Sequence, residues 1–227
     1  MSLTKSQHTP SHTLPVILGS SSKFRAEVLK QYDILFTVQV ANIDEKAIGT
    51  THRINPDPDT LTQLVANAKM DALLAKLPAH TPASLLISCD QVVSYKGQIR
   101  EKPKSHEMVC GKGISLLICY YRNATCIWES YTHAPAETHS AVVVVNTGTG
   151  KRVQGVDVAR QYFKHIPADV IQELICKGDV MHSSGGFVIE DPIIHPYLLR
   201  REGDEDSIIG MPIGLLFSLL AQAESNE

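Results

Sequence analysis

The residues best suited to chemistry sit in a short polar turn, Gly19-Ser20-Ser21-Ser22-Lys23-Phe24-Arg25, which follows an apolar run from Leu14 to Leu18. A glycine, three hydroxyls, two cations and the start of a helix are what an anion site requires. Free backbone N–H groups and the positive end of the helix dipole both favour negative charge there. Serine capping of the helix accounts for the same hydroxyls equally well. The glycines of a P-loop or a dinucleotide-binding turn are missing.

Asp90 lies among Ile87, Val92 and Val93, where a lone carboxylate is costly to bury unless it is paired or coordinated. With Glu45, in the acidic turn Ile43-Asp44-Glu45, it is a candidate Mg²⁺ ligand or general base, since phosphoryl chemistry needs hard oxygens to hold a cation against a polyphosphate. Glu45 alone reads as an exposed turn carboxylate. Lys69 and Lys102 could neutralise phosphate oxygens, although each singly reads as a solvated surface lysine. The ten histidines form no His-x-x-x-His pair and no Cys/His cluster, which argues against zinc. A Cys89 nucleophile is disfavoured, because the neighbouring carboxylate opposes its thiolate.

These groups must be positioned by alternating strands and helices. Leu14 to Leu18 reads as a strand, Arg25 to Gln31 as a helix, and Leu35 to Val40 as a second strand. Thr50 to Pro58 is rich in Pro, Asn and Asp and reads as a loop. Asp59 to Leu77 carries Leu61, Leu64, Val65, Ala68, Ala72 and Leu73 at helical spacing, with Asp59 or Thr60 as its cap and Lys69 midway. Leu85 to Ser88 and Val92 to Tyr95 read as β-rich runs around Cys89-Asp90-Gln91. Glu101-Lys102-Pro103 ends regular structure, and the stretch from Lys104 to His139 has no clean period. Ala141 to Asn146 and Arg152 to Val158 read as a hairpin, Pro167 to Lys177 as a helix closed by Gly178, and Ser183-Ser184-Gly185-Gly186-Phe187 as a turn that a ligand could approach. The last helix is expected from Ile208 onward, entered through Gly210-Met211-Pro212. This order predicts an α/β fold with a mixed sheet.

Composition narrows the function classes. With 227 residues, 43% hydrophobic and 20% charged, the chain can bury a full core, and a disordered or low-complexity class is excluded. A net charge of -3 gives no basic excess for DNA binding. The five cysteines are irregularly spaced and read as reduced core thiols. Residues 1–13 read as a disordered leader without a secretory h-region, and no apolar run reaches the ~20 residues of a membrane helix. The expectation is therefore a cytoplasmic protein with no DNA or membrane partner.

Taken in order, the turn Gly19 to Arg25, Asp44-Glu45, Lys69, Cys89-Asp90-Gln91-Val92-Val93, Glu101-Lys102-Pro103, Gly185-Gly186-Phe187-Val188-Ile189-Glu190 and Gly210-Met211-Pro212 resemble the Maf family of nucleotide pyrophosphatases. The resemblance implies one elongated α/β domain over 14–227, related to inosine triphosphatases, with a mixed sheet, flanking helices and two lobes around a deep cleft. A homodimer is also implied. So is hydrolysis of a nucleoside triphosphate to monophosphate and pyrophosphate with Mg²⁺ or Mn²⁺. On this resemblance Ser20, Ser22 and Arg25 hold phosphate with Lys69 and Lys102, Glu45 and Asp90 hold the metal, and Asp90 accepts the proton. Phe24, Gln91 and Glu190 resemble the 7-methyl-GTP branch rather than the branch acting on dTTP and UTP. A base made cationic by methylation would stack on Phe24 while Glu190 accepts from its N–H donors. The alternatives are a Phe24 packed in the core with Glu190 paired to an arginine, a dTTP or UTP pyrophosphatase, and a nucleotide-sensing regulator of cell division without turnover.

Overall fold

The computed structural model describes residues 12–54, 57–100, 124–181 and 183–225. Most of the expected leader, residues 1–13, lies outside the described residues, as do Lys102 and the rest of Glu101-Lys102-Pro103. Two compact units are formed, one from Met1–Gln91, His139–Val158 and Asp204–Glu227, the other from Val92–Thr138 and Ala159–Gly203.

Seven strands among the described residues form one sheet in the order β2-β1-β3-β5-β6-β7, with β4 also on β3. β1 (Val16–Leu18) runs parallel to both β2 (Phe36–Val38) and β3 (Leu85–Tyr95). β4 (Gln98–Arg100) is antiparallel to β3, and β7 (Leu198–Glu202) is antiparallel to β6 (Arg152–Phe163). The sheet is therefore mixed, as the sequence predicts. β5 (Ala136–Asn146) turns into β6 through a short connection closed by the Asn146 N–H on the Lys151 carbonyl, a link too short for a parallel crossover.

The pleat of β3 explains the first unit. Leu85, Ile87 and Cys89 point into a core shared with Val28 and Leu29 of α1 (Lys23–Gln31) and with Leu216, Leu219 and Leu220 of α7 (Ile213–Glu224). Leu86 points the other way, against Ala66, Met70 and Leu73 of α3 (Pro58–Leu74). β5 repeats the alternation, with Val142 and Val144 on one face and Ala141, Val143 and Val145 on the other. Helices thus cover both faces, which is what a strand apolar on both sides demands.

Several boundaries differ from expectation for physical reasons. β3 is one continuous strand, because Asp90 is satisfied from another element and need not interrupt it. β5 begins at Ala136, five residues early, since its polar start is bonded in place: the Thr138 hydroxyl donates to the Ala159 carbonyl, and His139 Nδ1 meets Asp59 Oδ1 at 2.6 Å. The expected loop at Thr50 holds a short helix, α2 (Thr50–Ile54). The cap of α3 is Asp57, which accepts from the Thr60 N–H at 3.0 Å, with Pro58 in the first turn. Two helices stand where one was expected near the C-terminus. Here α6 (Glu205–Ile209) ends at Gly210, whose φ of 103° breaks the run before α7.

In the second unit, a helix described over 124–130 (α4) carries Trp128. Trp128, Tyr131, Phe163 and Phe187 pack edge to face or tilted, with centroids between 5.8 and 6.3 Å apart. α5 (Ala168–Lys177) follows Pro167 and stops at Gly178 in the left-handed region. The Gly185 turn serves this packing: its carbonyl accepts from the Tyr131 hydroxyl, and a Cβ there would lie 2.9 Å from Val93 Cβ. Of the described cysteines Cys89 is buried, whereas Cys126 and Cys176 are exposed, which corrects the expectation of core thiols.

Candidate active site

β1 is three residues long, and its exit from the sheet creates the site. Its register pairs Leu18 with Ile87, and the Gly19 N–H then takes the Ile87 carbonyl at 2.7 Å. A Cβ at position 19 would stand 2.7 Å from that carbonyl oxygen, so the turn needs glycine for close approach. Past this point the next β3 carbonyl facing that way, Cys89 O, pairs with no strand among the described residues. Two cations take it, Arg25 Nη1 at 3.2 Å and Lys69 Nζ at 3.5 Å. Ligands of α/β sheets collect at such carboxyl ends of parallel strands.

The turn itself does both jobs that the sequence left open. Ser22 is the N-cap of α1, its Oγ accepting from the Arg25 N–H at 3.4 Å. Ser20 Oγ accepts from the Ser22 N–H at 3.2 Å and from Arg25 Nη1 at 3.3 Å. Arg25 Nε donates to the Gly210 carbonyl at 3.0 Å. Arg25 thus ties together the turn, β3 and the corner after α6, with its fork presented beside a helix N-terminus.

Asp90 is buried, and its Oδ1 accepts from Lys69 Nζ at 2.8 Å. Glu45 Oε1 stands 3.0 Å from the same ammonium. The Asp44 side chain caps the short 3₁₀ turn Glu45–Ala47 that carries it. Lys69 is buried on α3 rather than solvated, which removes the surface-lysine reading. Burial pushes the Asp90 carboxyl above the usual carboxylate range, while Lys69 and Arg25 pull it back only in part. The Cys89 thiol is likewise pushed up by burial, consistent with its exclusion as a nucleophile.

Among the described residues no group of three or more His, Cys, Asp or Glu side chains is arranged to hold a metal. The donor chemistry nevertheless fits Mg²⁺ or Mn²⁺. Glu45 and Asp90 are two hard carboxylates converging on one cationic position, and Mg²⁺ commonly uses one or two carboxylates with substrate phosphates and water.

Phe24 is 47% exposed on the first turn of α1, which removes the reading that it packs in the core. Gln91 Nε2 donates to the Ile208 carbonyl at 3.0 Å and to the Ser207 carbonyl and Ser140 Oγ at 3.1 Å. Glu190 lies in the second unit, partly buried. Ser20, Ser22, Arg25, Glu45, Lys69, Asp90 and Gln91 are thus brought together within the first unit. The Cys89 and Gly210 carbonyls that orient Arg25 carry no side-chain signal that a sequence could reveal, and Ser140 and Ser207 are ordinary serines until the fold joins them. A separate hollow of about 280 Å³, between Leu74, Leu77, Pro78, Val145 and Thr147, contains none of the candidate residues. No helix among the described residues is long and apolar enough to cross a membrane.

A mixed sheet with a serine-rich turn at the end of β1 and a buried acid facing a lysine defines a class, and the sequence comparisons agree on it. The family model described as Maf-like protein matches residues 15–112 and 120–223, so the chain belongs to the Maf family. It is 39% identical over 212 residues to the 7-methyl-GTP pyrophosphatase of Dictyostelium discoideum, covering 92% of this chain and 96% of the relative. It is 30% identical over 213 residues to the 7-methyl-GTP pyrophosphatase of Brucella abortus, covering 92% and 95%. The nucleoside triphosphate pyrophosphatase of Salinispora tropica is 28% identical over 210 residues, covering 92% and 84%.

Proposed function

We propose that this chain is a nucleoside triphosphate pyrophosphatase and that its nucleotide is 7-methyl-GTP. The observation that carries the reading is the Asp90 carboxylate, buried and held 2.8 Å from Lys69 just past the end of β1, where Arg25 and the serine turn also converge. The names of the near full-length relatives support the reaction class.

In the proposed reaction water attacks the α-phosphorus, the bond to the bridging oxygen of the β-phosphate breaks, and the products are nucleoside monophosphate and pyrophosphate. Asp90 takes the proton from the attacking water. Its raised pKa suits this role, because a base works best when its pKa approaches the operating pH. Ser20, Ser22, Arg25 and the N-terminal N–H groups of α1 bind the triphosphate, and Lys69 and Lys102 offset charge on the departing pyrophosphate. A divalent cation, Mg²⁺ or Mn²⁺, held by Glu45 and Asp90, would supply further charge neutralisation at the phosphates. Phe24, exposed beside the turn, offers a face for a cationic base, and Glu190 is the acceptor proposed for its N–H donors.

The test is a panel of triphosphates with Mg²⁺, followed by pyrophosphate release. The expected result is turnover fastest with 7-methyl-GTP and lost in Asp90→Asn, with Phe24→Ala reducing the preference over GTP. Faster hydrolysis of UTP or dTTP refutes the base assignment, and tight binding without turnover of any nucleotide refutes the enzyme.

A further inference from the structure

Glu190 sits on a segment that is fixed on both sides. Before it, Phe187, Val188 and Ile189 are all buried, and Phe187 packs against Trp128, Tyr131 and Phe163 at centroid distances of 5.8 to 6.3 Å. Three consecutive buried side chains anchor the backbone there. After it stands Asp191, whose side chain is only 9% exposed although it is charged and no step of the proposed reaction uses it. Both of its oxygens accept from Lys177 Nζ at 2.9 Å, and Oδ1 also accepts from the Ile193 N–H at 2.9 Å. The bond to Ile193 closes the local turn that aspartate favours, and Pro192 disfavours a helical backbone at Asp191. Burial by itself would raise the Asp191 carboxyl, but Lys177 and the Ile193 N–H outweigh it and hold the group below the ordinary carboxylate range, with His195 adding a smaller pull. Lys177 is the last residue of α5, where a cation also meets the negative end of the helix. α5 is itself packed through Ile171, Leu174 and Ile175.

Taking Glu190 as the base acceptor proposed above, we infer that Asp191 is its positioning residue: clamped to Lys177 and to its own turn, it fixes the backbone from which the Glu190 carboxylate reaches the base, and so governs base selectivity without acting on the phosphates. A carboxylate that must accept from two N–H donors at once tolerates little displacement. Groups that only neutralise phosphate charge do not depend on that alignment. Loss of the clamp therefore weakens ligands that carry the base and spares those that do not.

The experiment measures calorimetric binding of 7-methyl-GMP, which carries the base, and of inorganic tripolyphosphate, which does not, both with Mg²⁺ and both independent of turnover. Wild type is compared with Asp191→Ala, Lys177→Met, Lys177→Arg, Glu190→Gln, and Asp191→Ala combined with Glu190→Gln. Asp191→Ala, which loses both anchors, is expected to weaken 7-methyl-GMP about tenfold and tripolyphosphate less than about twofold. Lys177→Met, which keeps the turn, is expected to weaken 7-methyl-GMP about threefold, while Lys177→Arg, which can still pair, stays within about twofold of wild type. The ratio of kcat/KM for 7-methyl-GTP to that for UTP is expected to fall by the same factors, through KM rather than kcat. In the Glu190→Gln background Asp191→Ala is expected to add less than about twofold, because the group it positions is already gone. Equal losses for the two ligands, or an additive loss in that background, overturn the inference. Lys177→Met carries the same comparison if Asp191→Ala does not fold. If Glu190→Gln binds 7-methyl-GMP as wild type does, the base reading fails and the inference with it. A loss in Glu190→Gln with none in Asp191→Ala overturns the positioning role alone.

Discussion

Replacing Lys69 with methionine tests the electrostatic centre of the site. The side chains of Lys69 and Asp90 are each 11% exposed and stand 2.8 Å apart, whereas Glu45 is 51% exposed. The Glu45 bridge is screened by water and contributes at most about 1 kcal/mol. Removing one member of a buried pair strands the other, at about 3–5 kcal/mol. Proton uptake by Asp90 limits that cost, so about 3 kcal/mol is expected near pH 8, a fall in Tm of roughly 6–12 °C for a chain of this size. The pH dependence supplies the sharper check. Asp90 already has a folded pKa above its ordinary 3.8, so the folded state holds this proton more readily than the unfolded state does. Its contribution to stability is therefore fully present below the ordinary value and is lost as pH rises through the folded one. Without Lys69 the folded value moves higher still, because the ammonium no longer lowers it. In chelator-treated protein, thermal melts followed by circular dichroism should show a Tm deficit that is large at about pH 8 and shrinks toward about pH 5, and Asp90→Asn added to Lys69→Met should restore most of it. A deficit equal at both pH values, or no restoration by asparagine, refutes the pairing as the stabilising feature.

Two further outcomes follow from the packing. Gly19→Ala places a methyl group 2.7 Å from the Ile87 carbonyl oxygen, which belongs to a central strand and cannot yield. A stability loss of about 1–3 kcal/mol is expected, with a raised KM because Ser20 shifts with the turn; an alanine variant as stable and as active as wild type would contradict the close approach. Tyr32 and Tyr131 are each pushed from 10.0 to about 12, chiefly by burial and, for Tyr32, by donation to Asp206 at 2.5 Å. Whatever stability these raised values reflect is present below pH 10 and lost as pH climbs toward 12. Absorbance titration near 295 nm should therefore show late-ionising phenols, one of which disappears in Tyr32→Phe; an unchanged late phase would refute the assignment.

The sequence made the pieces of the site visible but not their reasons for being together. α3 was legible because Leu61, Val65 and Leu73 recur on one face, the first strand because its apolar run is closed by Gly19, and the helix Ala168–Lys177 because Gly178 ends it; the order of strands in the sheet was not legible. Asp90 looked like a break in a strand only because its partner is twenty-one residues away on another element. The early start of β5 was hidden for the same reason, since Thr138 and His139 are polar in the sequence and satisfied only across the fold. α2 escaped because five residues give no period to read. Gln91 was the hardest to place. Its amide acts on the carbonyls of Ser207 and Ile208, more than a hundred residues away, and a backbone acceptor has no sequence signature.

Cys89, Asp90 and Gln91 together show how one strand can serve three separate requirements. β1 leaves the sheet at Gly19, which frees the Cys89 carbonyl to receive Arg25 and Lys69 in the plane of the sheet. The next side chain goes to one face and meets Lys69; the one after goes to the other face and holds the corner at Gly210. The period of two makes this division unavoidable and also makes it fragile. A slip of one residue in the pairing of β3 with β1 would, in one sense, put Gln91 in the place of Asp90 against Lys69 and, in the other, put Asp90 in the place of Gln91 against the carbonyls of α6. A carboxylate facing carbonyl oxygens is repelled, and an amide in place of Asp90 leaves the buried ammonium with the exposed Glu45 as counter-charge, so both displaced contacts are unfavourable. The polar residues that carry the proposed chemistry therefore also help fix the register in which that chemistry is possible.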